Sequence, residues 1–381
     1  MDLKSKFCPK PFQYLEIGSK RDDGRMPCFA CCPQLVEEEV GDFSKESVEQ
    51  IWNSQSFQNI RSGILDGSYR FCKIEDCPEI QSGSLPDKLI IEDPVMWDII
   101  KNKKTKLDYG PKILNLNYDQ TCNLACPSCR TDYISHNNNP SERETIDRAG
   151  EKIKKEALSN ASEIIFCSSG DPFSSQHFRS FLSEIDFNTY KNLKIQIVSN
   201  GVMLTEKTWE QLKNIHGHVG LVCISLDAGS EATYGITRVG GNWKILMQNI
   251  KFLGQLRAKG EIERLRLDFV VQDYNYQEMP RLVDIGHDAG ADEVFFQKIV
   301  NWNTYSPAEF KKRLVYLPDH PEHQQFLQVL KDERLKDKIV NPGNLGDMIP
   351  KNYQPRPFNL KNAIRHTLIK RIRKFQLFLR G

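Results

Sequence analysis

The chain has 381 residues, with 52 Lys and Arg against 50 Asp and Glu and a formal charge of +2. That length suffices for an enzyme core plus a smaller domain, and the composition is that of an ordinary soluble globular protein. The charge balance excludes a protein that coats nucleic acid along its whole length.

The N-terminus shows no apolar run with a small-residue cleavage site, and no stretch is apolar enough to span a bilayer. A cytoplasmic protein is expected. Thiols stay reduced there, so the eleven cysteines point to metal or iron–sulfur ligation, not disulfides. Six of them, Cys8, Cys28, Cys31, Cys32, Cys72 and Cys77, fall within residues 1–80, a turn-rich unit with little periodic structure. One helix is expected there over 45–64, with Ser44 as a cap. Residues 81–111 read as a linker punctuated by Pro86, Pro94 and Pro111, with a short helical stretch over 95–101.

From residue 112 the pattern changes. Strand-length apolar runs at 113–118, 163–167, 193–199, 221–226, 265–271 and 293–297 alternate with helical periodicity at 141–158, 176–184, 206–215, 243–256 and 276–289. Strict alternation predicts parallel strands joined by crossover helices. The expected fold is α/β: a partial (β/α)6 TIM-like barrel over 112–300, preceded by the cysteine-rich auxiliary domain. Chemistry is expected at the carboxyl ends of the strands. Residues 301–357 form an irregular extension with a helix near 322–331, and 358–381 a basic amphipathic tail helix.

Directly after the first barrel strand stand Cys122, Cys126 and Cys129, spaced C-x3-C-x2-C. One loop with this spacing wraps three thiolates around a cuboidal cluster and leaves one iron open, as a catalytic site requires. A zinc site is the competing reading, with His136 or Cys167 as fourth ligand. The motif and its place after the first strand resemble the radical S-adenosylmethionine (SAM) superfamily. The resemblance implies a [4Fe–4S] cluster whose open iron binds SAM, and one-electron cleavage to a 5′-deoxyadenosyl radical that abstracts hydrogen from a substrate. Ser128 departs from the family's usual aromatic residue before the third cysteine, and Tyr133 is the candidate to replace it.

Later strand ends extend the likeness. Gly170-Asp171-Pro172 resembles the family's Gly-Gly-Glu-Pro segment, which receives the SAM ammonium group. Ser199-Asn200-Gly201 and Ser225-Leu226-Asp227 resemble segments near the SAM ribose. The cofactor-binding candidates are therefore Gly170, Asp171, Pro172, Ser199, Asn200, Ser225 and Asp227. Each could equally be a plain turn or a polar strand terminus. Asp268, Gln272 and Asn275 lie on the expected substrate side without a ranking.

Cys8-Pro9, the Asp23-Gly24 turn before Cys28, Ile51-Trp52-Asn53, and Cys72 to Cys77-Pro78 resemble the SPASM/twitch auxiliary-cluster domain, placed here in front of the barrel. The resemblance implies an auxiliary [4Fe–4S] cluster on Cys8, Cys31, Cys72 and Cys77. Cys28 and Cys32 remain alternatives for the second ligand, and a zinc ribbon is the other reading.

The tail carries Lys361, Arg365, Lys370, Arg371, Arg373, Lys374 and Arg380, no acid, and an apolar face at spacings of three or four. Peripheral attachment to an anionic membrane surface or a membrane-bound partner is expected, with docking on the chain's own core as the plain alternative and nucleic acid disfavoured. The His320-Pro321-Glu322-His323 run and the buried-type thiols Cys167 and Cys223 read as structural.

The resemblance as a whole implies an external one-electron reductant of flavodoxin or ferredoxin type. The expected substrate is a glycan or glycan precursor, with a peptide as the alternative. A non-catalytic iron–sulfur electron carrier or metal-stabilised scaffold is the non-enzymatic alternative. No catalytic side chain can be singled out.

Overall fold

One ten-stranded sheet runs through the computed structural model, which describes residues 2–166, 169–346 and 348–349. Its strands are β1 (Tyr14–Gly18), β2 (Pro27–Phe29), β3 (Glu39–Asp42), β4 (Ile113–Asn117), β5 (Glu163–Phe166), β6 (Lys194–Ser199), β7 (Val219–Ser225), β8 (Leu265–Val271), β9 (Glu293–Lys298) and β10 (Val340–Asn341). Their spatial order is β10-β9-β8-β7-β6-β5-β4-β1-β2-β3. All neighbours from β10 to β1 pair in parallel, and only β1–β2 and β2–β3 are antiparallel. The six expected strands are β4 to β9, each within two residues of its sequence-derived bounds.

Among the described residues, twelve α-helices accompany the sheet: α1 (Val48–Trp52), α2 (Gln55–Leu65), α3 (Pro78–Gln81), α4 (Pro94–Asn102), α5 (Pro140–Glu156), α6 (Gln176–Glu184), α7 (Glu206–Glu210), α8 (Glu231–Thr237), α9 (Trp243–Lys259), α10 (Met279–Ala289), α11 (Pro307–Lys311) and α12 (His323–Val329). Alternation along the strands explains the layering. Leu265, Leu267 and Phe269 of β8 are fully buried toward α9 and α10. Arg266 and Asp268 turn to the opposite, inner face, as do Gln196 and Val198 of β6, while Ile195 and Ile197 are buried on the outer one.

Two local expectations are corrected. The helix over 45–64 is two helices, because Ser47 and Ser54 each start one. Ser47 forms a capping box with Gln50, and Ser54 accepts from the Phe57 N–H. Ser44 caps neither; its hydroxyl donates to Asp42. The unit expected to have little periodic structure contains β1, β2 and β3, and β1 is a full member of the barrel sheet, pairing Glu16 with Asn115 and Gly18 with Asn117.

The far edge returns to this unit. Asn344 accepts from the Lys298 N–H at the end of β9 (2.7 Å) and donates through Nδ2 to the Asp76 carbonyl (3.4 Å). The short turn Gly343–Leu345 packs against α3. The segment next to Cys77 thus touches the last strand edge as well as its own unit. No helix among the described residues is long and apolar enough to cross a membrane. The tail 358–381 lies outside the described residues.

Candidate active site and auxiliary cysteine site

The cysteine loop leaves β4 and is fastened at its root by Asp119, whose carboxylate accepts from the Thr121 N–H (2.9 Å) and the Ser175 hydroxyl (2.5 Å). The Cys129 and Arg130 N–H groups both turn back to the Cys126 carbonyl. Each thiol faces nitrogen donors. Cys122 Sγ is 3.5 Å from the Leu124 N–H and 3.7 Å from Asn200 Nδ2. Cys126 Sγ is 3.7 Å from Arg238 Nη1, and Cys129 Sγ is 3.6 Å from Arg130 Nη2. Burial pushes the Cys122 thiol up to about 11, with Asp171 adding to the rise. Burial raises Cys126 too, against the pull of Arg238. Such thiols shed their protons to a metal centre, whose positive charge replaces them.

These residues wall an open pocket of about 80 Å³. Ser169 and Gly170 after β5, Val198 to Asn200 at the end of β6, and Ser225 at the end of β7 complete it. The position is the carboxyl end of the barrel strands, as expected. Gly170 is needed there: a Cβ would stand 2.7 Å from the Asp119 carbonyl and 2.8 Å from that of Thr121.

The candidates divide into two groups. Gly170, Ser199, Asn200 and Ser225 line the pocket. Asp171, Pro172 and Asp227 are buried beneath it. Asp171 receives the Ser199 hydroxyl (2.7 Å) and the Asn200 N–H (2.9 Å) on one oxygen, and the Phe173 (3.0 Å) and Ser174 (3.2 Å) N–H groups on the other. Asp227, at φ 55°, receives the Val270 N–H (2.7 Å) and pairs with Arg238 Nη2 at 2.7 Å. Both carboxylates are occupied by protein and act on the pocket by positioning Ser199, Asn200 and Arg238. Asn275 donates to the Asp227 and Val270 carbonyls, and Asp268 is held by Arg266.

Sequence reasoning missed Arg130 and Arg238. Arg130 follows the third cysteine directly and is held by the Gln120 (2.9 Å) and Ser169 (2.6 Å) carbonyls. Arg238 ends α8 before Gly240-Gly241, and its neighbour Val239 accepts the Ala125 N–H of the cysteine loop (3.0 Å). Tyr133 packs on Gly240, where a Cβ would meet its hydroxyl at 2.3 Å.

In the N-terminal unit, Cys8 feels Cys31 and Cys77, Cys72 feels Cys31 and Cys77, and Cys77 feels Cys31, with burial the first cause raising each thiol. Tyr69 stands against Cys8, Cys72 and Cys77. Cys32 joins through Cys31 alone. Around Cys28 the largest charge influences come from Lys152, Glu46, Asp42 and Glu16. The ten described cysteines are free of disulfides. Among the described residues, no three His, Cys, Asp or Glu side chains converge as for a single metal ion.

Residues 116–262 match the radical SAM superfamily, and residues 8–78 match an iron–sulfur cluster-binding domain, SPASM. No curated protein matches. Among solved structures, the chain is similar to Streptococcus suis SuiB bound to precursor peptide SuiA (14% identity, 64% of this chain and 51% of that one, TM-score 0.42). It is also similar to TYW1 with a lysine-pyruvate adduct bound (14%, 60% and 71%, TM-score 0.36). A third is anSMEcpe with bound AdoMet (19%, 50% and 51%, TM-score 0.35). The chain spans about half the length of SuiB.

The three thiols stand at the carboxyl ends of the parallel strands, within the residues that match the radical SAM superfamily. Residues 116–262 carry a radical SAM domain, and a SPASM iron–sulfur cluster-binding domain precedes it over residues 8–78. The chain's cofactors are a SAM-binding [4Fe–4S] cluster, SAM, and an auxiliary cluster. The residues fit them: three thiols with donors around an open pocket, and a glycine cradle that a Cβ would fill.

Proposed function

We propose that the chain is a radical SAM enzyme that abstracts hydrogen from a substrate carbon, with Cys122, Cys126 and Cys129 holding the SAM-binding cluster. When bound, cluster and SAM together supply a hydrogen-abstracting carbon radical, at the expense of one electron from an external donor. The protein's part is holding and orientation. Gly170 opens a backbone edge to the amino-acid end of SAM. Ser199, Asn200 and Ser225 offer hydroxyl and amide groups to the ribose. Arg238 retains a buried Nε–H without a protein partner, which suits a carboxylate.

The auxiliary cluster is assigned to Cys8, Cys31, Cys72 and Cys77, because these four thiols feel one another while Lys152, Glu46 and Asp42 dominate around Cys28. The domain reading accordingly keeps 1–80 as the auxiliary unit, 81–111 as its tether and 112–300 as the core. The observation that carries the function is the three-thiol pocket at the strand ends. Anaerobically reconstituted protein should form 5′-deoxyadenosine from SAM and a strong reductant; none from a fully loaded protein overturns the proposal in favour of an electron carrier. The glycan expected from the sequence has no support among the comparisons, and a peptide is at least as good a substrate reading. Stimulation of 5′-deoxyadenosine formation by one class and not the other separates them.

A further inference from the structure

Each cysteine of the open pocket receives one side-chain N–H, and the three donors differ in charge. Asn200 Nδ2 stands 3.7 Å from Cys122 Sγ, Arg238 Nη1 3.7 Å from Cys126 Sγ, and Arg130 Nη2 3.6 Å from Cys129 Sγ. Asn200 is neutral. Arg238 gives Nη2 to the Asp227 carboxylate at 2.7 Å, so that pair is neutral as a whole. Arg130 pairs with no carboxylate among the described residues. Its other hydrogen bonds go to the Gln120 (2.9 Å) and Ser169 (2.6 Å) carbonyls. It is 8% exposed and lines the pocket.

Holding two carbonyls does not call for a charge. Asn249 does the same with the Gly201 and Val202 carbonyls, at 2.8 and 3.0 Å. A buried cation without a carboxylate costs desolvation energy that an amide does not. A guanidinium also keeps its proton at any working pH. Arg130 is thus a fixed positive charge on the ligand loop itself. Its direction is set by one carbonyl at the root of that loop and another in the segment after β5.

We propose that Arg130 raises the reduction potential of the three-cysteine centre and so brings it within reach of an external one-electron donor. The inference rests on the SAM-cluster reading given above. Three thiolates leave the loaded site net negative, and reduction adds one more negative charge in a poorly screened pocket. A cation beside the ligands stabilises the reduced form more than the oxidised one, and an N–H on a ligating sulfur acts in the same direction. One electron passes from the donor to the cluster, and no bond or proton changes place. Arg130 acts through the thiolates as a positioning residue. Arg238, already neutralised by Asp227, contributes less of this field.

The test is a potentiometric titration of the reconstituted full chain without SAM, read by electron paramagnetic resonance. The signal that changes when SAM is added reports the three-cysteine centre; the SAM-insensitive signal reports the auxiliary centre and serves as internal reference. Arg130→Gln should lower the midpoint of the first by at least a tenfold change in the redox equilibrium, about 59 mV, and leave the second in place. Arg130→Lys keeps the charge and should stay within about threefold, about 28 mV. Arg148→Gln removes one charge from an exposed pair with Glu144 and should move neither midpoint. An unchanged midpoint in loaded Arg130→Gln overturns the proposal alone, as does an equal fall in Arg130→Lys. Where Arg130→Gln fails to load by iron analysis, Arg130→Lys decides: a held midpoint supports the proposal and a tenfold fall overturns it. Failure of both variants to load makes Arg130 an assembly residue and overturns it too. A chain with no SAM-sensitive signal overturns the active-site reading beneath it.

Discussion

The two cysteine sites are assembled in opposite ways. Cys122, Cys126 and Cys129 come from one loop that opens on a pocket, and Cys129 is exposed. Cys8, Cys31 and the Cys72–Cys77 pair come from three separated segments and feel one another. The first site is local in sequence and takes its charge compensation both from the adjacent Arg130 and from afar, through Arg238. The second is scattered in sequence and closed in space. An open iron corner and a fully ligated cluster ask for this difference.

The largest effect should come from exchanging the roles of the sites. Cys126→Ala should abolish 5′-deoxyadenosine formation and lower iron from about eight to about four per chain. Cys72→Ala should cost the same iron yet leave SAM cleavage in place. Iron and labile-sulfide analysis beside a product assay checks both, and loss of cleavage in Cys72→Ala would break the distinction. Next comes Gly170→Ala, whose Cβ drives the β5 loop off the cysteine loop. SAM cleavage should fall about 100-fold, with the auxiliary signal intact. Arg238→Ala leaves Asp227, 1% exposed, as an unpaired buried carboxylate and should lower stability by about 3–5 kcal/mol. Adding Asp227→Asn should recover part of the loss in thermal unfolding. The smallest effect belongs to Cys28→Ala, since the charges around Cys28 are chiefly Lys152, Glu46 and Asp42. About 1–2 kcal/mol of packing should go and no iron. Loss of iron there would move the second auxiliary ligand to Cys28.

Local features were legible in the sequence. β4 to β9 carry enough alternating apolar residues to show their period, and the C-x3-C-x2-C loop announces itself after β4. β1, β2 and β3 were not, because no helix-length segments alternate with them and β1 finds its partner a hundred positions away in β4. Asp171 and Asp227 show the limit of strand-end reasoning. A polar residue at a strand terminus reads the same whether it meets a ligand or bolts two loops together, and here four donors claim Asp171. Arg238 was hidden for the converse reason: its α8 helix is only seven residues long and nothing nearby in sequence names Cys126 as its target.

The contact between Asn344 and Asp76 spans 268 residues, and it orders events during synthesis. A ribosome adding about 5–20 residues per second needs on the order of 10–50 s to travel between them. The Cys72–Cys77 segment therefore emerges long before its outer wall exists. The turn at Gly343–Leu345 packs against α3, beside that segment, only at the end.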